Sequence, residues 1–551
     1  VSTACLDWQR RIVAGESLIP PPLYPEEAEA ALAVFNELRV VDVPGCPTMR
    51  DACRPWIGDV VGSVFGAYNS VTGEREIKEW LLSVSKKNFK SGLAAGIMLT
   101  ALVLNWRESA EFAILAPTVE VANNSFYPAR DMIRKDPELS QLFHVQDHTR
   151  TITHRVTKAT LKVIAADSEA VGGKKLTGVL IDELWLFGKK PNAADMLREA
   201  TGGLTSRPEG FVIYLTTMSN EAPAGVFRQK LLYARKVRDG EIDDAKFVPV
   251  LYEFPAAMIT AGAHLLPENF HITNPNIGAS VSRDHLEREL KKAQEAGAED
   301  LVGFMAKHLN VEIGLALASD RWAGADHWLA CADPAMASLD HICEVSDVLC
   351  IGIDGGGLDD LLGLSVMGRH EKTRQKLIWS RAWAHPSVLE RRKSEAARLR
   401  DFAADGDLIL PKRIGDDVDD VANIAKAVYD TGKLYKIGVD PHGLGGILDG
   451  LMAQEIPEDM IVGISQGWKL TGAIKTLERW LAEGSCSHSG APMMAWCVGN
   501  AKVEPRGNAI TITKQAAGFA KIDPLMATFN AVSLMAMNPE GQGKRFWEVA
   551  A

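Results

Sequence analysis

The chain reads as two α/β units in series, and three observations predict that class. Its 551 residues exceed what one hydrophobic core serves, at roughly 150 residues per domain. Between residues 56 and 252, short apolar runs alternate with helical patterns, as in a largely parallel sheet covered on both faces. A second strand-rich stretch begins near residue 348 and runs to about 537, without internal repeat or low-complexity tract. The expected organisation is an N-terminal lead-in over 1–49, a first α/β domain over 50–262, a linker or lid segment over 263–345 and a second α/β domain over 346–551.

The elements can be taken in chain order. Pro20-Pro21-Pro22 with Pro25 reads as an extended lead-in. Strands are expected at 80–84, 112–115, 161–164, 179–181 and 211–215. Asn274-Pro275-Asn276 breaks this pattern, and 282–307 reads as a charged helical segment with Glu/Lys/Arg pairing. In the second unit the expected strands are 348–353, 361–367 and 435–439. A hairpin turn at Gly507-Asn508 comes next, and then a helix opened by Lys521-Ile522-Asp523-Pro524 and continuing through Ala531.

Hydrophobic residues at 46% and charged residues at 24% are near the globular average, and no apolar run reaches the roughly eighteen residues that span a bilayer. Residues 1–11 lack the basic stretch and apolar core of a secretory signal, and the eight cysteines form no CxxC pair, so a reducing, cytoplasmic setting is expected. Cys486 and His488 are close in sequence. Without a second ligand pair they read as a small buried thiol beside a surface imidazole rather than as a zinc site. The net charge of −11 runs against a general basic footprint for nucleic acid. Lys86-Lys87, Lys189-Lys190 and Arg391-Arg392-Lys393 can still build local basic surfaces, although each singly reads as a solvated face.

The chemistry begins at Ser83-Val84-Ser85-Lys86-Lys87-Asn88-Phe89-Lys90-Ser91, between an apolar strand and the helical run 92–104. Loop N–H groups and a helix N-terminus placed this way converge on phosphate. Lys90 would reach the β- and γ-phosphates of ATP and Ser91 would place its hydroxyl on Mg²⁺. The glycines of a standard loop are replaced by Val84 and Phe89, so this loop alone is a weak signal and the next two strand ends must decide. Asp182-Glu183 ends the apolar strand 179–181, where Asp182 can hold the Mg²⁺ shell and Glu183 can orient or deprotonate water. Carboxylates at the end of a buried strand are costly as mere structure. Thr216-Thr217 ends strand 211–215 and can sense the γ-phosphate from a neighbouring strand. Three successive strand ends with these residue types make a coherent site for ATP hydrolysis.

The second unit carries acids instead. Asp354 ends strand 348–353, Asp359-Asp360 comes after a triple-glycine turn, Asp440 ends strand 435–439 and Asp523 opens a helix. Each could be a cap or turn residue taken alone. Brought together, they would need cations, and two Mg²⁺ or Mn²⁺ ions suit phosphodiester cleavage.

The ordered series resembles the large terminase subunit of tailed bacteriophages over roughly residues 50–540. Lys86-Lys87-Asn88-Phe89-Lys90-Ser91 is similar to that family's deviant Walker A loop, with Ser85 just ahead of it. Ala166-Asp167-Ser168 with Gly172-Gly173, the Walker B run Ile181-Asp182-Glu183 and the coupling motif Thr216-Thr217 come next in family order. Asn274-Pro275-Asn276 and Lys307-His308-Leu309-Asn310 resemble landmarks between the domains. Gly352-Ile353-Asp354, Asp360, Gly438-Val439-Asp440 and Lys521-Ile522-Asp523-Pro524 resemble the ribonuclease-H-like nuclease, which implies Asp354, Asp440 and Asp523 as metal ligands and Asp360 as a fourth candidate. Lys514 stands where the family has a lysine ahead of the last aspartate. Phe89 for glycine, and Ile57 after Trp56 where an adenine-reading glutamine is common, are the departures.

The resemblance implies a P-loop ATPase domain followed by a ribonuclease-H-like nuclease domain, using ATP with Mg²⁺ and two Mg²⁺ or Mn²⁺ ions. It implies double-stranded viral DNA as substrate, and the portal protein and small terminase subunit as partners. It further implies a pentameric ring in the host cytoplasm, transiently at the portal vertex and not in the mature virion. A ring motor needs an arginine from the adjacent subunit, for which Arg207 ranks ahead of Arg130 and Arg134. A helicase or repair translocase, or a nuclease with a disabled ATPase site, are the rival readings.

Overall fold

The computed structural model describes residues 2–165, 175–190, 192–313, 322–357, 360–441, 445–507, 509–514 and 521–541. It divides into two compact units, Val1–Ile313 and Gly314–Ala551. This boundary falls inside the 263–345 stretch expected as a linker, so that stretch is shared between the units rather than standing apart. The stretches 166–168 and 172–173, together with Asp359 and Asn508, lie outside the described residues.

The first unit is built on strands β1 (Glu79–Ser83), β2 (Glu111–Ala116), β3 (Phe143–Gln146), β4 (Thr151–His154), β5 (Thr160–Ala165), β6 (Leu176–Ile181), β7 (Phe211–Thr216) and β8 (Phe247–Leu251). They form one sheet in the order β8-β1-β7-β6-β2-β5-β4-β3. From β8 to β5 all neighbours are parallel, and β4 and β3 extend the sheet antiparallel. β6 and β7 are buried at every position, as parallel strands covered on both faces must be, which is why they read in sequence as unbroken apolar runs. Each of the five expected strands is present. Their order is the new information: β7 is inserted between β1 and β6, so the ends of these three strands adjoin along the carboxyl edge.

The lead-in is not extended throughout. It forms helices α1 (Trp8–Ala14) and α2 (Pro25–Glu37). Pro25 sits at the first helical position, where its missing N–H costs nothing, and Ala28, Ala31 and Phe35 face inward at helical spacing. The chain continues through α3 (Pro55–Phe65), α4 (Lys90–Val103) and α5 (Val119–Lys135). A Cβ on Gly96 of α4 would stand 2.5 Å from the Phe35 ring, so the lead-in is seated directly on the helix that succeeds the 84–89 loop. The charged segment expected at 282–307 is a pair of helices, α6 (Arg283–Ala296) and α7 (Ala298–His308).

The second unit carries β9 (Ser346–Gly355), β10 (Leu361–His370), β11 (Lys376–Ala384), β12 (Leu408–Ile409), β13 (Leu434–Val439), β14 (Ile461–Gly463) and β15 (Cys486–His488). The sheet order is β12-β11-β10-β9-β13-β14, with β15 also paired to β11. β9, β10 and β11 form an antiparallel meander, whereas β13 joins β9 in parallel and β14 joins β13 in parallel. A hairpin of β16 (Ala501–Arg506) and β17 (Ala509–Lys514) pairs Arg506 with Ala509 at its closing end. Helix α8 (Asp523–Met535) is buried along most of its length against the sheet. Glycine permits that approach. A Cβ on Gly352 would stand 1.9 Å from the Ala527 carbonyl oxygen, and one on Gly363 would stand 2.7 Å from the Pro524 Cα.

Candidate functional site

The carboxyl edge of the first sheet gathers the loop after β1, the acidic pair after β6 and the threonines after β7. Val84 N–H donates to the Thr216 carbonyl at 3.1 Å, joining the first of these to the third. Lys90 is buried, and its Nζ donates to Thr217 Oγ1 at 2.6 Å and to the carbonyls of Val84 and Ser85 at 3.4 Å. Burial lowers the Lys90 pKa, while the carboxylates of Glu183 and Asp182 pull it back up. Asp182 is almost fully buried, and its pKa is raised by that burial and by the adjacent Glu183. Ser125, on the inner face of α5, donates to Asp182 Oδ2 at 2.7 Å, and the Glu183 N–H donates to Asp182 Oδ1 at 3.0 Å. The Glu183 carboxylate accepts the Trp185 indole N–H at 2.6 Å, and the Trp185 amide donates to Thr216 Oγ1 at 3.2 Å. The acidic turn and the threonine strand end are therefore one hydrogen-bonded assembly.

The loop after β1 is itself unusual. Lys87 and Phe89 take left-handed backbone angles, φ 72° and 62°, a region that costs a non-glycine residue about 1–2 kcal/mol. Phe89 immediately precedes α4, and Lys86 and Lys87 are exposed. Asn88 is buried with its side-chain amide hydrogen-bonded to Asn274. The Ser85 hydroxyl is buried with no hydrogen-bond partner among the described residues. Unsatisfied donors and left-handed turns fit a loop shaped to receive an anion. Ile57 is fully buried in α3 and offers no polar group to a base, whereas the Trp56 indole donates to Asn276 Oδ1 at 3.1 Å.

In the second unit Asp354 lies at the carboxyl end of β9, and Asp440 comes directly after β13, the parallel neighbour in which Val439 is paired with Ile353. Asp523 is the first residue of α8, and its Cβ is 3.5 Å from where a Cβ on Gly355 would stand. The three acids that are far apart in sequence thus share one edge of one sheet. Asn530 Nδ2 donates to the Ile353 carbonyl at 2.9 Å and locks α8 in register with β9. Asp360 is ion-paired with Lys521, whose ammonium is buried two residues before Asp523. Carboxylate oxygens alone make a donor set suited to Mg²⁺ or Mn²⁺. Among the described residues no group of three or more His, Cys, Asp or Glu side chains stands close enough together to hold a metal ion. Lys514 lies on β17 opposite Ala501.

The family model for the terminase large subunit ATPase domain matches residues 55–236, and that for the terminase large subunit endonuclease domain matches residues 243–539, more than half of the chain. The chain belongs to the terminase large subunit family. As a terminase it carries an ATPase domain and an endonuclease domain, and nucleotide and divalent-metal use go with those domain families. Protein YmfN of Escherichia coli (strain K12) is 25% identical over 277 residues, 48% of this chain and 59% of YmfN, under two thirds of that relative's length. The large terminase subunit of Enterobacteria phage HK97 is 22% identical over 477 residues, covering 83% of this chain and 84% of that protein. The crystal structure of the HK97 large terminase aligns at 19% identity over 92% of this chain and 99% of that one, with a TM-score of 0.47. The large terminase of a thermophilic bacteriophage aligns at 13% identity over 85% and 95% of the two chains, with a TM-score of 0.31.

In this terminase Arg207 precedes β7 at the amino edge of the sheet, opposite Lys90, so it is out of reach of its own chain's loop. Arg130 and Arg134 lie on α5 and are ion-paired with Asp147, Arg130 also with Asp131. Ser125 belongs to no motif; its sequence signal is a small polar residue on the apolar face of an amphipathic helix. Lys521 stands inside a recognisable motif, but only its pairing with Asp360 gives it a role.

His488 is buried rather than a surface imidazole, because its ring stacks on Trp328 at 3.8 Å between centroids. Its Nε2 meets the Trp328 carbonyl at 2.7 Å, and its Nδ1 accepts the Gly490 N–H at 3.0 Å, so both ring nitrogens are occupied. Burial pushes its pKa down to about 4. The unfolded imidazole protonates near pH 6.5, so the stabilisation is complete above about pH 6.5 and is lost on acidification toward about pH 4. The expected result is a loss of about 2 kcal/mol between about pH 7 and about pH 5 through this residue. Urea unfolding of the parent and of His488→Gln at both pH values checks this, since equal acid sensitivity in the two would mean that another group is responsible.

Among the described residues no helix is long and apolar enough to cross a membrane.

Proposed function

We propose that this chain hydrolyses ATP to drive viral double-stranded DNA into a procapsid and cuts concatemeric DNA when packaging starts and ends. The observation that carries the reading is the assembly of Lys90, Thr217, Asp182 and Glu183 at three adjoining strand ends. Lys90 would move from Thr217 to the β- and γ-phosphates, with Lys87 to Phe89 wrapping the phosphates through backbone N–H groups, while Ser85 and Lys86, whose N–H groups bond the Thr273 and Lys307 carbonyls, frame the loop. Ser91 and Asp182 would hold Mg²⁺, which when bound neutralises phosphate charge. Glu183 would orient the attacking water and accept its proton as the bond to ADP breaks. Thr216 and Thr217 would register loss of the γ-phosphate, and Arg207 of an adjacent copy would offset charge on the transferred group.

In the second unit Asp354, Asp440 and Asp523, with Asp360 alongside, would hold two Mg²⁺ or Mn²⁺ ions, which when bound activate water and stabilise the leaving oxygen. Lys521 would balance the acidic cluster and keep Asp360 oriented. The portal protein, the small terminase subunit and a homo-oligomeric ring on the procapsid are the partners this role requires, in the host cytoplasm.

The test is ATP-dependent displacement of a third strand from linear duplex DNA by the full chain. Displacement without separation of the duplex strands is expected. Unwinding of a forked duplex would instead establish a helicase, and cutting with no ATP-dependent displacement would establish a nuclease with a disabled motor.

A further inference from the structure

The phosphate loop keeps two left-handed residues, Lys87 and Phe89, without a glycine at either position. The Phe89 ring packs down over Gly92, where a Cβ would stand 2.3 Å from the ring Cζ. From outside, the loop is held by a segment 186 residues away. The Asn88 Nδ2 donates to Asn274 Oδ1 at 2.8 Å and to the Ser85 carbonyl at 3.1 Å, while its Oδ1 accepts the Asn276 N–H at 3.0 Å. Asn274 is itself fixed, its Nδ2 donating to the carbonyls of Phe270 at 3.0 Å and His308 at 2.9 Å. Asn276 Nδ2 donates to Ser280 Oγ at 2.6 Å, and that hydroxyl donates to the Lys87 carbonyl at 2.5 Å. The Lys86 N–H donates to the Lys307 carbonyl at 2.7 Å. Asn88, Asn274 and Asn276 are all buried.

We infer that Asn274 and Asn276, acting through Asn88 and Ser280, are positioning residues that hold the phosphate loop in a shape Phe89 would otherwise relax. In loops with glycine at that position the left-handed turn is free of steric cost, so no external lock is needed. Here an ordinary side chain occupies it, and buried amides that use both donor and acceptor atoms over-determine the backbone instead. Asn274 contributes by preorganisation, and its loss should appear in nucleotide affinity rather than in the chemical step.

The inference rests on residues 83–91 being the phosphate site. The test uses the full chain, ATP turnover and calorimetric binding of ATPγS, a slowly hydrolysed analogue, in Asn274→Ala, Phe89→Gly and the double variant. Asn274→Ala is expected to raise KM and weaken analogue binding about tenfold, the loss of one buried hydrogen bond, with kcat within about threefold of the parent. Measured against Phe89→Gly as its own background, Asn274→Ala should cost about threefold or less in analogue binding, because a glycine needs no lock. Strictly additive losses, or unchanged analogue binding in Asn274→Ala, would overturn the inference. If Asn274→Ala melts early, Ser280→Ala replaces it, with a loss of about threefold that Phe89→Gly cancels. Full analogue binding by Lys90→Ala would instead mean that the phosphate site itself is elsewhere.

Discussion

Lys90→Ala is expected to lower ATP turnover at least about a hundredfold, the usual cost of removing a preorganised charge from a transferring phosphoryl group. The structure gives the reason for so large an effect. The ammonium is buried, its pKa is lowered by that burial, and its hydrogen-bond partners are Thr217 and two loop carbonyls. An ammonium in so poorly solvated a place gains far more from a phosphate oxygen than one in water would. The variant should fold, because alanine removes a buried charge and leaves Thr217 able to bond elsewhere. Steady-state hydrolysis with circular dichroism as a folding control checks the expectation. Turnover within about threefold of the parent would remove the 83–91 loop from the chemistry.

Asp354→Asn is expected to reduce metal-dependent cutting of plasmid DNA by about a thousandfold or more while leaving ATP turnover within about twofold of the parent. Asparagine keeps the volume and the packing at the end of β9 but supplies a neutral oxygen where a charged ligand is required. The same split is expected for Asp440→Ala, since Asp440 ends the strand paired with β9. Plasmid relaxation and linearisation in Mn²⁺, measured beside ATP hydrolysis, separates the outcomes. Loss of both activities would point to misfolding, and intact cutting would remove this sheet edge from the nuclease.

Much of both sites is legible in the sequence because it is written locally. An apolar run ending in Asp182-Glu183, or in Asp354, is a strand delivering acid to its end, whereas the Lys90-Ser91 pair ahead of a helical run gains its meaning only beside the other two strand ends. The hairpin at 507–508, the helix beginning at Asp523 and the charged helices after residue 282 are legible on the same grounds. The lead-in is not, because its prolines outweigh the inward spacing of Ala28, Ala31 and Phe35 in any local reading. The burial of His488 is equally hidden, since nothing near it in sequence announces Trp328, 160 residues earlier.

The sequence by itself determined the residue types at each strand end and their order along the chain, because hydrophobic period, turn chemistry and charge are properties of a few consecutive residues. Only the tertiary structure decided that β7 lies between β1 and β6, that Ser125 braces Asp182, that Asn274 and Asn276 hold Asn88, and that Gly352 and Gly363 admit α8 closely enough to bring Asp523 to the sheet edge of Asp354. The physical reason is common to all four. Strand order, buried hydrogen bonds and backbone close approach are contacts between segments tens to hundreds of residues apart, and no local pattern encodes which distant partner a side chain will meet.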